Sequence, residues 1–207
     1  MLLDNYKKQS PIVGVAGLGG GINSYIFLSS GGDYVISRSL RFDSSASSYL
    51  NRTPGSAGNR RTWTWSGWFK NNVSGVANQR IFSAKSGSNQ TEINFDSNSR
   101  LFLYEGPTDC YVYTQANLRD PSAWYHFVVV YNTTQSSMSD RVKIYINGVL
   151  QDTTQTGSDI PQNTEGSINN TYDHRIGSYA TVGSPYLDAY LADVHLVDGQ
   201  ALSLIHI

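Results

Sequence analysis

Residues 62–70 read T-W-T-W-S-G-W-F-K. Taken two at a time, they fall into two rows. Trp63, Trp65, Gly67 and Phe69 make one, and Thr64, Ser66, Trp68 and Lys70 the other. Period-two alternation of this kind marks a strand with one face in a core, a setting that aromatic residues favour.

The pattern repeats in both directions along the chain. Upstream, Ile36 to Phe42 is predicted to be the first strand. Downstream, Arg80 to Ala84, Thr91 to Asp96 and Arg100 to Tyr104 read as a meander, with Ser97-Asn98-Ser99 as its tight connection, and Cys110 to Thr114 follows. Ala123 to Tyr131, A-W-Y-H-F-V-V-V-Y, is apolar on both faces, which predicts a central strand covered on both sides. Arg141 to Asn147 alternates, with Val142, Ile144 and Ile146 facing inward. Asn147-Gly148 then signals a hairpin, and Val149 to Asp152 is the return strand. A long polar loop is expected from Thr153 to about Thr171, after which Arg175 to Ser178 and Tyr186 to Val197 close the domain. No stretch has the periodicity of a long amphipathic helix. The predicted fold class is all-β, a two-sheet antiparallel β-sandwich.

Composition narrows the function. Charged residues are 15% and aromatics 12%, with 14 Tyr, and the formal net charge is −1, so no basic face for nucleic acid is predicted. Cys110 is the only cysteine, which excludes an internal disulfide and a multi-cysteine zinc site, and a buried strand thiol is expected. No apolar run reaches transmembrane length, and Met1 to Ser10 has no signal-peptide pattern, so membrane insertion is not expected. Residues 1–35, with V-A-G-L-G-G-G-I-N at 15–23, read as a Gly-rich lead-in or linker. They lack the Gly-Lys-Ser/Thr ending and the following helix of a phosphate-binding loop.

Five segments in order resemble the concanavalin A-like lectin/glucanase superfamily in its laminin G-like form. They are S-L-R-F-D-S-S-A-S-S-Y-L (39–50), T-W-S-G-W-F-K (64–70), W-Y-H-F-V-V-V-Y (124–131), V-K-I-Y-I-N-G-V (142–149) and Y-L-D-A-Y-L-A-D-V-H-L-V-D-G-Q-A-L (186–202). The resemblance implies a jelly-roll sandwich over residues 36–201. The chain is more closely similar to the version found in structural proteins of bacteriophages from aquatic metagenomes, through I-S-R-S-L-R-F, R-D-P-S-A-W-Y-H and D-G-Q-A-L. That likeness implies a tail, fibre or decoration role, in a virion or at a cell surface. Where the family continues after D-G-Q-A-L with a Ser/Thr-Pro-Ser-Asp-Phe-Gly stretch, residues 202–207 read L-S-L-I-H-I. This matches one frame of a common sequencing-library adapter, and the expectation is an artefact with the natural chain continuing.

The resemblance also directs attention to sites. Glucanases of this fold carry acids at alternate positions of one strand, and the nearest match is Glu92-Ile-Asn-Phe-Asp96. Asn94 cannot ionise, and Asp96 is one methylene short, so a solvated strand face is expected rather than a catalytic pair. A structural calcium ion in such domains sits near the chain ends, and the matching positions are Asp43 and Asp193. Asp43 could equally serve a turn and Asp193 an ion pair. His126 is read as a core or half-buried histidine. Glycan binding requires exposed aromatics, for which Trp68, Tyr111, Tyr113, Tyr179 and Tyr186 are the candidates, against the alternative of core and cross-strand packing. The expected function is a non-catalytic module that binds a glycan or a protein neighbour. A purely structural scaffold is the alternative, and a glycoside hydrolase ranks last.

Overall fold

The computed structural model describes residues 36–72, 79–181 and 183–202. The glycine-rich segment 1–35 and the tail 203–207 lie outside the described residues. The described residues from Arg38 onward form one compact unit.

The elements run β1 (Leu40–Phe42), β2 (Leu50–Arg52), β3 (Thr62–Asn71), β4 (Gln79–Ser86), β5 (Asn89–Phe95), β6 (Leu101–Glu105), β7 (Cys110–Thr114) and β8 (Tyr125–Asn132). After a single helical turn, α1 (Met138–Arg141), come β9 (Val142–Ile146), β10 (Val149–Leu150), β11 (Thr153–Thr156), β12 (Asp173–Ile176), β13 (Ser178–Tyr179), β14 (Gly183–Tyr186) and β15 (Ala189–Asp198). The first sheet has the order β1-β15-β3-β8-β9-β10, and the second β11-β7-β6-β5-β4-β12-β2. β13 and β14 pair as a separate ribbon. The pairings within both large sheets are antiparallel, giving the predicted β-sandwich.

The core is the seam between the two sheets. Trp63, Trp65 and Phe69 from β3, Phe127 and Val129 from β8, and Ile144 from β9 meet Ile93, Leu101 and Leu103 from the second sheet, all fully buried. Each such side chain contributes roughly 1.5–3 kcal/mol by leaving water. Trp63 stacks on Tyr131 with centroids 5.0 Å apart, and Phe69 lies between Phe95 and Phe127 at 5.1 and 5.2 Å. Gly67 continues the inward row beneath Trp65 and Val194, where an added Cβ would lie 3.1 Å from both.

β8 is internal in its sheet and covered on both faces, as its double apolar character predicts: Val128 and Val130 on its outer side are buried too. The C-terminal stretch crosses that outer side at the neighbouring strand, where Thr64 Oγ1 donates to the Gln200 carbonyl (2.8 Å) and accepts from Leu202 N–H (2.9 Å). Asn147 and Gly148 both take positive φ, 49° and 81°, the geometry of a tight hairpin. Asn147 also ties the turn to β8, accepting from His126 N–H through its side chain and donating its own N–H to the His126 carbonyl.

The long polar loop needs correction. Its first part is β11, which extends the second sheet by pairing Thr153–Thr156 with β7. Its remainder folds over one end of the sandwich, where Gly166 N–H donates to the Arg60 carbonyl. The predicted first strand is also shorter than its alternation suggests, since Ile36 and Leu40 stay exposed.

Candidate functional site

The outer face of the second sheet carries the aromatic surface. Alternation sends Leu101, Leu103, Val112 and Cys110 into the core and turns Phe102, Tyr104, Tyr111 and Tyr113 outward. The β6–β7 register sets Phe102 opposite Tyr113, and Tyr104 opposite Tyr111. Their centroids are 4.9 and 4.4 Å apart. Tyr111 and Tyr113, two apart on one strand, stand 5.7 Å apart with planes only 6° off parallel. Phe102 is buried beneath, and the three tyrosines are half-buried.

Polar groups frame this strip. Along one side β11 sets exposed Thr154 opposite Tyr113 and Thr156 opposite Tyr111. At one end the Arg100 guanidinium lies 4.5 Å over the Tyr113 ring, and at the other Tyr104 OH donates to Asp109 Oδ1 (3.2 Å). Burial pushes the Tyr111 hydroxyl up to about 12 and raises those of Tyr104 and Tyr113. At neutral pH all three remain neutral phenols, able to donate and accept. The result is a strip of aromatic rings edged with hydroxyls, able to offer both apolar contact and hydrogen bonds to a ligand.

The structure divides the five aromatic candidates. Tyr111 and Tyr113 belong to the strip. Tyr179 lies on the same face, but Arg80 and Lys85 each sit 4.5 Å from its ring centroid, and its hydroxyl is engaged by Lys85 and Gln90. That ring anchors the β13 ribbon to the sheet, helped by Ser83, whose Oγ donates to the Ser178 carbonyl and accepts from Ala180 N–H. Tyr186 packs on Tyr49 (6.2 Å), whose ring is covered by Arg175. Trp68 is on the other sheet, tilted against half-buried His126 at 5.1 Å, so it cannot share a ligand surface with Tyr111. Tyr104, Phe102, Arg100 and the two threonines complete the strip. Phe102 and Tyr104 share a face with Tyr111 and Tyr113 only through the β6–β7 register, since the odd offset from Tyr104 to Tyr111 puts the two pairs out of step when residues are counted in twos. The threonines were hidden in the stretch read as loop.

The sequence of residues 42–207 matches the profile of the concanavalin A-like lectin/glucanases superfamily. The chain belongs to that superfamily. No curated protein matches it. Among solved structures, the superfamily fold is shared with the native heptameric SAP-like pentraxin of Limulus polyphemus: 17% identity, TM-score 0.52, covering 76% of this chain and 72% of that one. It is shared with the CBM40 of the Ruminococcus gnavus IT-sialidase: 14% identity, TM-score 0.50, 77% of this chain and 97% of that one. It is also shared with domains LG4-5 of the mouse laminin alpha1 chain: 11% identity, TM-score 0.55, 80% of this chain and 44% of that one. At these identities the likeness is one of fold.

On this concanavalin A-like scaffold, Glu92 and Asn94 do point outward as the spacing predicts, but they are not solvated. Both are 2% exposed, and Asp96 is 9% exposed. Glu92 Oε2 accepts from Arg80 Nε (3.1 Å) and Asn94 Nδ2 (3.0 Å). Asp96 is a turn residue: its Oδ1 accepts from the Asn98 and Arg100 N–H groups, and its Oδ2 from the Arg100 guanidinium at 2.7 and 2.9 Å. Arginines laid over the face bury these groups, an arrangement the strand pattern alone does not predict.

The two aspartates considered for calcium occupy different stretches of β15. Phe42 pairs with Ala189 and Leu40 with Leu191, so Asp43 comes next to Asp188. Asp193 lies beyond the other end of β1, on the order of 15 Å further along at about 3.3 Å per residue. A bulge there, with Asp193 at φ 50°, resets the strand phase and turns its carboxylate to His195 Nε2 at 2.8 Å. Asp43 Oδ1 accepts from Ser45 Oγ and N–H, which holds its carboxyl below the usual range. These two side chains therefore do not fit as ligands of one shared ion.

Proposed function

We propose that this domain is a non-catalytic glycan-binding module of a larger virion or surface structural protein. The observation that carries the reading is the strip of Phe102, Tyr104, Tyr111 and Tyr113, with two half-buried tyrosine rings 6° from parallel and hydroxyl groups along its border. A sugar lies flat on Tyr111 and Tyr113, where its C–H face displaces water from the rings. Its rim hydroxyls bond to the phenols, Thr154 and Thr156. Superfamily membership supports a sugar ligand, as does the fold shared with a sialidase CBM40. The virion setting rests on the likeness of the 36–42, 119–126 and 198–202 segments to phage structural proteins.

The non-catalytic half of the reading follows from the acids. Hydrolysis of a glycoside takes two carboxyl groups flanking the bond. On this face Glu92 and Asp96 are each held by an arginine, and the position between them is an amide. A glycan array probed with the full chain tests the proposal. Saturable binding to a defined class of glycan, with no turnover of the bound sugar, is the expected result. A flat array leaves the scaffold role in its place, and detectable hydrolysis overturns the non-catalytic assignment.

A further inference from the structure

The two sheets are sealed unequally at one edge. β1 covers β15 only from Ala189 to Leu191, so among the described residues His195 to Asp198 pair with β3 alone. Opposite this stretch, β2 ends the second sheet and, among the described residues, pairs with β12 alone. Between them lies a cavity of about 590 Å³. That size falls within the range of small-molecule sites, roughly 300–1,000 Å³.

The wall of the cavity is apolar, formed by Leu50, Trp65, Phe82, Ile176, Val194 and Leu196. Leu50 and Leu196 are 49% and 38% exposed, so folding leaves wet apolar surface at this edge. The 53–58 loop closes one side. Gly58 lies so near Asp198 that an added Cβ would stand 2.3 Å from Oδ2, and its N–H donates to the Asn169 carbonyl (2.7 Å).

Most charges around the cavity are already committed. The Arg175 guanidinium is held by Asp173 (2.8 Å). Asp198 Oδ1 accepts from Asn59 N–H and Asn169 Nδ2. The His174 ring donates from Nδ1 to the Tyr172 carbonyl and accepts at Nε2 from Asn169 N–H, so it stays neutral, and burial lowers its pKa further. Arg52 differs. It shares the Leu50 face of β2 and lines the cavity from the rim, and among the described residues its guanidinium has no hydrogen-bond or ion-pair partner.

We infer that this seam is a second ligand site, for a small flat amphipathic anion such as an aryl carboxylate. The apolar body lies between Leu50, Phe82, Ile176 and Val194, and the carboxylate meets the fork of Arg52, whose planar geometry suits a two-oxygen acceptor. The site is at the β2 end of the second sheet and the tyrosine strip at the β7 end, so the two ligands do not compete. The inference stands apart from the glycan reading.

The probe is 2-naphthoate, with 2-naphthamide as its uncharged counterpart, titrated into the full chain by calorimetry. Naphthoate is expected to bind saturably, and the amide about tenfold more weakly, which is the loss of one charge-assisted contact. Arg52→Gln is expected to weaken naphthoate by about tenfold and leave the amide unchanged. Because Arg52 is exposed, this variant keeps the fold, which an unchanged thermal transition verifies. Val194→Trp, which fills the cavity, is expected to abolish binding of both probes. Non-saturable naphthoate binding, equal affinity for acid and amide, or indifference to Arg52→Gln would each overturn the inference.

Discussion

Glu105 ends β6 with its carboxyl inside the sandwich. Oε2 accepts from Thr91 Oγ1 (2.9 Å) and Tyr131 OH (3.3 Å), while Oε1 is buried without a partner. Gly166 lies directly above, where a Cβ would stand 3.2 Å from both Thr91 Oγ1 and Tyr131 OH. Burial is the largest influence and pushes the carboxyl from 4.5 up to about 7, against the lowering effect of the two hydrogen bonds and of Arg60. The folded state therefore holds a proton that the unfolded chain has released above pH 4.5. Stability from this group is complete below 4.5 and is lost as pH rises through 7, by about 3 kcal/mol at about 1.4 kcal/mol per pH unit. Glu105→Gln keeps the shape and removes the titration. In denaturant melts, the stability difference between variant and wild type should grow by about 3 kcal/mol in the variant's favour from pH 4.5 to 8. A difference that does not change with pH would show that Glu105 does not ionise in this range. None of this was legible in the sequence, where the predicted strand stops at Tyr104 and leaves Glu105 outside it.

At the scale of elements, legibility followed burial. β3, β8 and β9 were readable because a strand packed on a core needs alternation, or apolar character on both faces, to stay there. β2 and β11 were not, because their side chains are mostly exposed and impose no apolar alternation. Of the turns, Asn147-Gly148 and Ser97-Asn98-Ser99 were legible, while Gly157 lay unread in the stretch taken as a polar loop. Gly148 and Gly157, at φ 81° and 83°, separate two demands on glycine. Nothing lies within 4 Å of a Cβ on Gly148, so Gly148→Ala meets only the backbone penalty, about 1–2 kcal/mol. A Cβ on Gly157 would fall 1.9 Å from the Asp109 carbonyl oxygen, and backbone must move to admit it. Gly157→Ala is therefore expected to destabilise by about 3 kcal/mol or more, clearly beyond the effect at Gly148. Equal chemical-denaturation midpoints for the two variants would contradict this close approach.

At the scale of the molecule, the sandwich is a unit starting near residue 38, and the superfamily match starts at residue 42. A chain beginning at residue 36 is expected to fold with a melting temperature within about 2 °C of the full chain, a shift of about 1 kcal/mol or less for a domain of this size. A larger loss would show that the glycine-rich segment contributes to the fold. The architecture was legible because two sheets closing on one core leave a strong imprint in the sequence. The binding face was legible only in part. Counting in twos pairs Tyr111 with Tyr113, but only the strand register adds Tyr104, and only the structure shows that Trp68 is on the other sheet and that Tyr179 is covered by cations. The central claim is that Tyr111 and Tyr113 form the glycan surface. Its most direct test is calorimetric titration of the best-bound glycan against Tyr111→Ala, Tyr113→Ala and Trp68→Ala. Each tyrosine variant is predicted to lose about tenfold or more in affinity, with Trp68→Ala unchanged. Wild-type affinity in both tyrosine variants, or its loss only on replacing Trp68, would contradict the account.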